Sequence, residues 1–353
     1  MISGKILRDA IISGANNINN QRSRVDELNV FPVPDGDTGT NMGMTVGASV
    51  RELEALDDSC TVGEASKTAA SAMLRGARGN SGVITSLLFR GFSKALKDKT
   101  EASAADLAAA LQQGVEAAYK AVMKPAEGTV LTVSRLAAKR AVEVAAEEKD
   151  VETVLEEAIR EGRETLAQTT EMNPVLKKAG VVDAGGKGYL LILEGMLAEL
   201  RGEPMPQQDE DSAPEKEKAD FQAMNVEDIT FAFDTVFIVR KATPNISLEP
   251  LRTYLNSIGD SLVIGEDDEA FKVHVHTNIP GNALNESQKY GTLELAKIEN
   301  MRTQAEDLAA GKHVQSTDDL DAVEQSLEEG AAQQPEEDAH TVAAPEKPYG
   351  FLA

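Results

Sequence analysis

The stretch Leu28-Asn-Val-Phe-Pro-Val-Pro-Asp-Gly-Asp-Thr-Gly-Thr-Asn-Met42 is the most informative part of this 353-residue sequence. It sets two carboxylates, Asp35 and Asp37, on either side of one glycine. Two prolines precede the pair, and they stiffen the loop because proline has a fixed φ and no N–H. The segment Thr-Gly-Thr-Asn that follows is typical of a turn that enters a helix. The pattern predicts a rigid loop that presents two carboxylates at a helix N-terminus.

Two carboxylates on a stiff loop suit a hard divalent cation, because Mg²⁺ usually takes one or two protein carboxylates together with phosphate oxygens. Thr38, Thr40 and Asn41, with the backbone amides around them, would then donate to those phosphates. The alternative is an ordinary turn capped by aspartate, since Asp-Gly pairs are common in turns. The Pro-Val-Pro segment before the pair and the Thr-Gly-Thr-Asn segment after it favour a binding site.

A second glycine-rich segment, Arg75-Gly-Ala-Arg-Gly-Asn-Ser-Gly82, precedes an apolar stretch at residues 83–89. Glycines that let the backbone approach a ligand, followed by a helix start, are typical of an anion-binding turn. The segment lacks the Gly-Lys-Ser/Thr ending of a P-loop. The alternative is an ordinary helix N-terminus with Asn80 or Ser81 as its cap.

Two further glycine-containing turns precede helical stretches, at residues 127–132 and 182–188. Each signal is weak alone. Four small-residue loops at helix starts could gather at one end of a bundle, and that arrangement predicts a rim that binds phosphate and nucleotide.

Residues 1–200 show mostly helical patterns. Leu107, Leu111 and Val115 recur at helical spacing after Ser103, a good N-cap residue. Aromatic residues make up only 4% of the chain and Trp is absent, which favours closely packed helices over a β-sandwich. Counting the segments gives seven or eight helices and predicts an all-α bundle. The clearest further stretches are residues 129–147, 151–169 and 185–200.

The remainder of the chain divides into three parts. Residues 201–220 have no periodicity, three prolines and many charges, which indicates an interdomain linker. Residues 221–312 are predicted to form a small α+β domain. Residues 313–353 hold ten acidic residues against one lysine, so they are predicted to be a disordered acidic tail. In the α+β domain we expect strands near 229–239, 261–264, 270–277 and 293–298, and helices near 247–258 and 282–290.

The overall composition excludes several classes of protein. A net charge of −24 argues against nucleic acid as a partner, because phosphate backbones need clustered Lys and Arg. A single cysteine, Cys60, cannot form an intrachain disulfide and fits a reducing cytoplasm. No run reaches the roughly 18 apolar residues of a transmembrane segment, and the N-terminus does not resemble a signal peptide. The sequence predicts a soluble cytoplasmic protein.

A pair of histidines marks the second domain. In Lys272-Val-His-Val-His-Thr-Asn278, His274 and His276 fall on the same face of a strand, because side chains alternate with period two. Two neighbouring imidazoles can bind zinc if a third ligand joins them. The alternative is a pair of structural or interface histidines.

The motifs at residues 29–42, 77–82, 127–129 and 182–188 together resemble those of the dihydroxyacetone-kinase L-subunit (DhaL) domain family. The version in the large ATP-binding subunit of bacterial fatty-acid kinase is more similar, and the resemblance covers about residues 1–312. It implies an antiparallel eight-helix barrel that holds ATP and two Mg²⁺ ions at one end, followed by the small α+β domain. A Tyr-Gly stretch like the one at residues 348–353 opens a third domain in that family, which is expected to be missing here.

The resemblance also implies roles for individual residues. Asp35 and Asp37 would be catalytic metal ligands for Mg²⁺. Asn29 stands at the position of a third aspartate in the L-subunit proper and would be a neutral oxygen ligand for the metal. Thr129 and Asp183 would lie near the base and ribose of the nucleotide. Asp234 replaces a cysteine of the related proteins, and it would join His274 and His276 as a zinc ligand. Eight residues would line the phosphate side: Thr38, Gly39, Thr40, Asn41, Met42, Asn80, Ser81 and Gly82.

The activity implied by the resemblance is transfer of the ATP γ-phosphate to a fatty-acid carboxylate, giving an acyl phosphate. A separate fatty-acid-binding partner protein would present the acid, and the chain would form a homodimer through its second domain. Two alternatives remain open at this point. One is phosphorylation of a small ketone such as dihydroxyacetone, and the other is a non-catalytic nucleotide-binding regulatory subunit.

Overall fold

The computed structural model describes residues 1–208, 229–267 and 269–304, and these residues lie within one compact unit. The predicted tail at 313–353 and most of the predicted linker at 201–220 lie outside the described residues. The helical part and the α+β part both belong to this one unit.

The first 200 residues, all of them described, are mostly helical, as the sequence predicts. Eight of their eleven helices have ten or more residues, which agrees with the seven or eight counted from the periodicity. A short antiparallel ribbon of β1 (Ile2–Ser3) and β2 (Glu101–Ala102) joins the chain start to the middle of this part. The helices are Gly4–Asn20 (α1), Arg22–Asp26 (α2), Thr38–Gly47 (α3), Val50–Glu54 (α4), Val62–Gly76 (α5), Gly79–Ala95 (α6), Ala104–Ala121 (α7), Val130–Ala145 (α8), Val151–Met172 (α9), Pro174–Ala179 (α10) and Ala184–Leu200 (α11).

Several helix starts are fixed by local side-chain caps. Ser103 accepts a hydrogen bond from the backbone N–H of Asp106, whose carboxylate accepts one from the Ser103 N–H. This reciprocal arrangement satisfies two backbone donors that the helix itself cannot pair. The predicted N-cap at Ser103 is therefore confirmed, and Thr61 with Glu64 forms the same arrangement at α5.

The core of the helical part depends on small residues. A Cβ added at Gly195 of α11 would lie 2.5 Å from the backbone oxygen of Ser13 and 2.7 Å from Cα of Gly14, both in α1. Helix backbones approach this closely only where side chains are absent. The apolar core that surrounds this contact is alanine-rich, with Ala15, Ala137 and Ala158 fully buried.

The second part is a four-stranded antiparallel sheet in the order β4-β5-β3-β6. Two helices and one 3-10 turn, at Gln288–Tyr290, complete it. All four expected strands and both expected helices are present. The strand expected at 270–277 has those bounds, the first strand begins at Phe233 rather than 229, and the other two are longer at both ends, because pairing with a neighbour fixes where each one stops. The elements are Phe233–Lys241 (β3), Glu249–Ile258 (α12), Gly259–Glu266 (β4), Ala270–Thr277 (β5), Pro280–Ser287 (α13) and Gly291–Asn300 (β6).

The two faces of this sheet differ in chemistry. Phe271, Val273 and Val275 of β5 belong to an apolar cluster that includes Leu251 and Leu255 of α12. Because side chains alternate along a strand, the residues between them lie on the opposite face. That opposite face carries Lys272, His274 and His276, all of them buried.

The polar face of the sheet contacts the helical part. Val263 of β4 belongs to the main helical core and forms a β-bridge with Val122, just after α7. The Arg252 side chain of α12 donates to the backbone oxygen of Ala121 at 3.3 Å. These contacts leave a cleft between the polar face of the sheet and one end of the helices.

The start of the predicted linker lies along α1. The backbone N–H of Met205 donates to Ser13 Oγ at 2.9 Å, and the Asn16 side chain donates back to the Met205 oxygen at 2.9 Å. Asn20 makes a similar pair of bonds with Pro206 and Gln208. The chain therefore leaves α11 along a defined path as far as residue 208.

Within the described residues, no helix has both the length and the apolar character needed to cross a membrane.

Candidate functional site

A cleft of about 370 Å³ lies between the helical part and the polar face of the sheet. Its lining includes the loop that precedes α3, the first turn of α6, the starts of α8 and α11, and strands β3 to β5. The loop before α3 and the starts of α6, α8 and α11 correspond to the four glycine-containing turns identified in the sequence. Twelve of the predicted site residues line this one cleft: Asn29, Asp35, Asp37, Thr38, Asn41, Asn80, Ser81, Thr129, Asp183, Asp234, His274 and His276.

Asn29 organises the loop that carries the two carboxylates. Its buried side-chain amide donates to Asp35 Oδ1 and, at 3.2 Å, to the backbone oxygen of Val33. Its oxygen accepts a hydrogen bond of 2.6 Å from the Thr38 hydroxyl. Asn29 therefore links both ends of the loop and orients Asp35 in this structure.

Asp35 and Asp37 are held close together in a poorly solvated place. Burial raises the pKa of Asp35 well above its ordinary value, and the neighbouring charge of Asp37 raises it further. Burial likewise raises the pKa of Asp37. Two carboxylates that resist ionisation as neighbours become stable as anions when a cation lies between them, so this donor set fits a divalent metal ion.

Two helix N-termini meet at these carboxylates. Asp37 and Arg78 occupy the N-cap positions of α3 and α6, and neither makes a side-chain capping bond to the first turn of its helix. The alternative in which Asn80 or Ser81 caps α6 is wrong, because both lie inside its first turn. The positive ends of two helix dipoles at one spot, with the first-turn backbone amides of α6, make a place for an anion.

Four of the predicted phosphate-side residues do not line the cleft. Met42 is fully buried, and its side chain packs where Gly188 leaves room. A Cβ at Gly39 would collide with the backbone oxygen of Arg22, and one at Gly82 would collide with Thr45 Oγ1. These residues allow α3 to pack against its neighbours.

Thr40, the fourth such residue, contacts an aspartate that sequence reasoning missed. Asp26 accepts hydrogen bonds from the Thr40 N–H at 3.0 Å and from the Thr40 hydroxyl at 2.7 Å. Burial raises the pKa of Asp26 to about 6. Asp26 lies 14 residues before Thr40 in the sequence, so only the folded chain brings its carboxylate to the first turn of α3.

Asp183 and Thr129 also line the cleft, at the N-caps of α11 and α8. Asp183 Oδ2 accepts a hydrogen bond of 2.6 Å from the Gly186 N–H, and the Thr129 hydroxyl donates to the Ala126 oxygen at 2.8 Å. Burial raises the pKa of Asp183 to about 7. Asp183 thus has a structural role as a cap in addition to facing the cleft.

The sheet brings Asp234, His274 and His276 together on its polar face. Asp234 lies directly opposite His276 in the pairing of β3 with β5. The potential ligand atoms of the three residues all lie within 4.8 Å of one another. A carboxylate and two imidazoles at this spacing match the ligand types of a zinc site.

The electrostatics of this cluster also fit a cation. His274 Nδ1 and Asp234 Oδ1 lie 3.2 Å apart, yet both are buried atoms that make no hydrogen bond within the described residues. Burial lowers the pKa of His274 well below its ordinary value, so its imidazole is neutral, as a metal ligand must be. Burial raises the pKa of Asp234 to about 7.

Further charged residues of the sheet lie near the cluster and were not found from the sequence. Asp260 Oδ1 lies 3.3 Å from His276 Nδ1, and Lys297 pairs with Glu299 at 3.1 Å. Glu299 lies opposite Asp234 in the pairing of β3 with β6. Only strand register brings these residues together, so no local sequence motif could identify them.

Lys272, on the same face, connects the sheet to the helical part. Its side chain donates to the backbone oxygens of Ala77 and, at 3.2 Å, Arg75, at the C-terminus of α5. Burial lowers the pKa of Lys272 to about 7. The glycine-rich segment that follows α5 begins at these oxygens.

Two family models match the chain in consecutive segments. Residues 32–198 match the model described as the DAK2 domain. Residues 230–308 match the model of the middle domain of FakA-like fatty acid kinase proteins. The two matches cover the helical part and the sheet, respectively.

Relatives and a solved structure extend the comparison. Protein YloV of Bacillus subtilis (strain 168) is 46% identical over 311 residues, which cover 86% of this chain and 56% of the relative. The uncharacterized protein SH1689 of Staphylococcus haemolyticus (strain JCSC1435) is 47% identical over 309 residues, with the same two coverages. The chain thus spans little more than half the length of these relatives. The native dihydroxyacetone kinase of C. freundii is 18% identical with a TM-score of 0.40, covering 55% of this chain and 34% of that one. The chain thus carries a DAK2 domain followed by a FakA-like middle domain.

Proposed function

We propose that this chain is the ATP-binding subunit of a Mg²⁺-dependent kinase that phosphorylates the carboxylate of a fatty acid. The observation that carries the proposal is the meeting of Asp35 and Asp37 with the N-termini of α3 and α6 on one cleft. Carboxylates for metal ions beside the positive ends of two helices, with the first-turn amides of α6 for phosphates, are the components that a nucleoside triphosphate site needs.

The carboxylates would hold two Mg²⁺ ions between the protein and the phosphates. Asp35 and Asp37 supply the protein ligands, and Asn29 orients Asp35 through the hydrogen bond described above. When bound, Mg²⁺ neutralises the charge that develops on the phosphate oxygens during transfer. The raised pKa values of the two aspartates support this assignment, because burial disfavours their charged forms and a bound cation would restore them.

The nucleotide would extend from the helix N-termini towards the starts of α8 and α11. Asn41, Asn80 and Ser81 line the part of the cleft beside the carboxylates and would donate to phosphate oxygens. Thr129 and Asp183 line the other part, where the apolar side chains of residues 130–131 offer a surface for the base. Such an apolar pocket with a few polar groups is typical of ligand sites.

The acceptor chemistry needs alignment more than a base. A carboxylate is already an anion at pH 7, so its oxygen attacks the γ-phosphorus directly. The bond from that phosphorus to the β-phosphate oxygen breaks, ADP leaves, and no proton is transferred. The protein therefore has to bring two anions together in the correct geometry.

The sheet wall of the cleft would hold a zinc ion on Asp234, His274 and His276. Two of the three buried side-chain atoms that lack a hydrogen-bond partner in the described residues, Asp234 Oδ1 and His274 Nδ1, belong to this cluster and support this assignment. Bound zinc would supply a further positive charge on the side of the cleft opposite the Mg²⁺ loop.

A second acceptor class is favoured by one observation. His274 is neutral and lies on the same cleft as Asp35 and Asp37. A neutral imidazole can take a proton from a hydroxyl group, which phosphorylation of dihydroxyacetone or a similar alcohol would require. Asp234 and His276 beside that imidazole suit metal binding, and a bound metal would leave His274 unable to act as a base. The carboxylate acceptor, which needs no base, is therefore favoured over the alcohol.

Three further features are part of the same proposal. The eight long helices would form the antiparallel barrel of the family, the protein would act in the cytoplasm, and the sheet would mediate a homodimer. A fatty-acid-binding partner protein would present the acid to the cleft. The middle-domain match supports the partner, since its model is named for one subunit of a fatty acid kinase.

The test is a phosphotransfer assay with the purified chain, radiolabelled ATP and Mg²⁺. A fatty acid bound to candidate partner proteins and free dihydroxyacetone would be offered in separate reactions, and hydroxylamine would trap an acyl phosphate. Trapped acyl hydroxamate with ADP release supports the proposal, and dihydroxyacetone phosphate supports the second acceptor class. Tight nucleotide binding without any transfer to either acceptor would instead indicate a regulatory subunit.

A further inference from the structure

Lys272 is a buried lysine whose only described hydrogen bonds cross from the sheet to the helical part. The residue is 3% exposed. Its ammonium group donates to the backbone oxygens of Ala77 and Arg75, which lie at the C-terminal end of α5. A lysine at this end of a helix pairs carbonyls that have no partner within the helix, and it balances the negative end of the helix dipole.

The oxygens that Lys272 binds belong to the segment that leads into the cleft. Residues 75–82 end α5 and begin α6, and Gly79, Asn80 and Ser81 line the cleft shortly after Ala77. A displacement of the carbonyl end of α5 would therefore move the first turn of α6.

The other side of this segment is fixed by α3. The backbone N–H of Arg78 donates to Thr45 Oγ1 at 3.1 Å, and the Ser81 hydroxyl contacts the Thr38 oxygen at 3.5 Å. Gly79 adopts a φ of +55°, and a Cβ there would collide with the side chain of the asparagine at position 41. The segment thus lies between α3 on one side and the ammonium group of Lys272 on the other.

The position of Lys272 in the sheet links this segment to the opposite wall of the cleft. Lys272 shares one face of β5 with His274 and His276, at two-residue intervals along the strand. One short strand therefore carries both the contact to the phosphate-side segment and two residues of the sheet wall. A Cβ added at Gly265 of β4 would lie 3.1 Å from the Leu74 side chain of α5, so β4 also approaches α5 closely.

We propose that Lys272 is a positioning residue that holds the first turn of α6 in the geometry for nucleotide phosphate and fixes its distance from the sheet wall. It touches no reacting atom and acts through the backbone of residues 75–82. The effect on nucleotide affinity rests on the proposed function. The effect on the backbone of residues 75–82 is a property of the free protein.

A matched control exists in the same sheet. Lys241 of β3 also has a buried side chain, with 4% exposed, and donates to the Asp267 oxygen at 2.7 Å while pairing with Glu266 at 2.6 Å. These partners belong to the sheet itself. Lys241→Met therefore removes a buried cation from the sheet without removing a contact to α5.

The experiment compares the full chain with its Lys272→Met, Lys272→Arg and Lys241→Met variants. Hydrogen–deuterium exchange of residues 75–82 is measured without nucleotide, and calorimetry measures the Kd of a non-hydrolysable ATP analogue with Mg²⁺. We expect Lys272→Met to speed exchange in this segment and to raise the Kd about tenfold, because the oxygens of Ala77 and Arg75 lose their buried donor. Lys272→Arg should restore part of both, and Lys241→Met should change neither.

The two readouts separate failure of this inference from failure of the proposed function. If the wild-type chain does not bind the analogue, the proposed function fails, while faster exchange in Lys272→Met alone would still support the structural contact. Unchanged exchange in Lys272→Met overturns the inference, as does faster exchange with an unchanged Kd in a chain that binds the analogue. Equal effects of Lys241→Met would also overturn it, because they would indicate general loosening of the sheet.

Discussion

The two walls of the cleft present different ligand sets through different kinds of secondary structure. On the helical wall, Asp35 and Asp37 lie two residues apart on a loop and offer only oxygen atoms. On the sheet wall, Asp234 comes from β3 and the two histidines from β5, and they offer one oxygen and two nitrogens. The first set suits Mg²⁺ with phosphate, and the second suits a softer metal ion such as zinc.

The difference shows how a protein can build two ligand sets that tolerate change differently. The helical wall depends on a contiguous motif and on two helix N-termini, so a change to any part affects the whole loop. The sheet wall depends on strand register, and each of its ligands is one side chain on a rigid strand. We therefore expect substitutions on the two walls to have separable effects.

The largest effect should come from the helical wall. Asp37→Asn or Asp35→Asn removes one of the two metal ligands, so turnover should fall at least about a thousandfold and Mg²⁺-dependent nucleotide binding should weaken strongly. The helical fold should persist, because Asp35 lies outside the helices and Asp37 makes no side-chain capping bond to α3.

The control is Glu147→Gln, which removes an equal charge from an exposed position just after α8. Circular dichroism would verify the fold, and calorimetry would give the nucleotide affinity. Unchanged Mg²⁺-dependent affinity in both aspartate variants would contradict the metal assignment.

The sheet wall should respond differently. His274→Ala or His276→Ala removes one of three ligands, so zinc affinity measured by competition with a chromogenic chelator should fall at least about tenfold. Mg²⁺-dependent nucleotide affinity should change much less, since both residues lie on the other wall. A large loss of nucleotide affinity with unchanged zinc binding would reverse the roles assigned to the two walls.

How much of each wall could be predicted from the sequence depends on whether its residues lie close together along the chain. The Pro-Val-Pro-Asp-Gly-Asp motif and the glycine turns are contiguous, so their place at helix starts could be predicted from spacing and turn chemistry. His274 and His276 could be assigned to one face from the period of a strand. The approach of Asp234 to them was predicted only through family resemblance, because the register of β3 with β5 decides it.

Other features could not be predicted because they depend on packing between distant segments. Asp26 reaches the N-terminus of α3 only through the turn between α2 and α3, and Lys272 reaches α5 only when the sheet packs on the helices. Met42 has the spacing of a site residue, yet the space left by Gly188 places its side chain in the core. In each case a neighbour far along the chain determines the role.

An intermediate effect concerns pH, through Asp183. Its pKa in the folded protein is about 7 against an ordinary value of 3.8, so the folded state binds a proton more tightly than the unfolded state. The stability that this provides is fully present below about pH 4 and is lost as the pH rises through 7, by about 4 kcal/mol at most.

Asp183→Asn keeps an oxygen that can accept from the Gly186 N–H but cannot titrate. We expect its stability relative to the wild type to increase between about pH 4 and pH 7 and then to level off, as urea unfolding at several pH values would measure. A constant difference across this range would show that Asp183 does not titrate there.

The smallest effect should come from Thr40. Thr40→Val removes the hydroxyl bond to Asp26, so the free energy of unfolding should fall by about 1 kcal/mol. Nucleotide affinity should barely change, because Thr40 does not line the cleft. Thr38→Val, on the cleft wall, is the comparison. An equal or larger loss of nucleotide affinity in Thr40→Val would indicate that Thr40 contacts the phosphates.

The central claim is that the helical wall binds a nucleotide through Mg²⁺. The most direct measurement is calorimetric titration of the purified chain with a non-hydrolysable ATP analogue, with and without Mg²⁺. We predict one tight site that requires Mg²⁺ and is lost in Asp37→Asn. Absence of binding in both conditions, or equal binding without Mg²⁺, would contradict the claim.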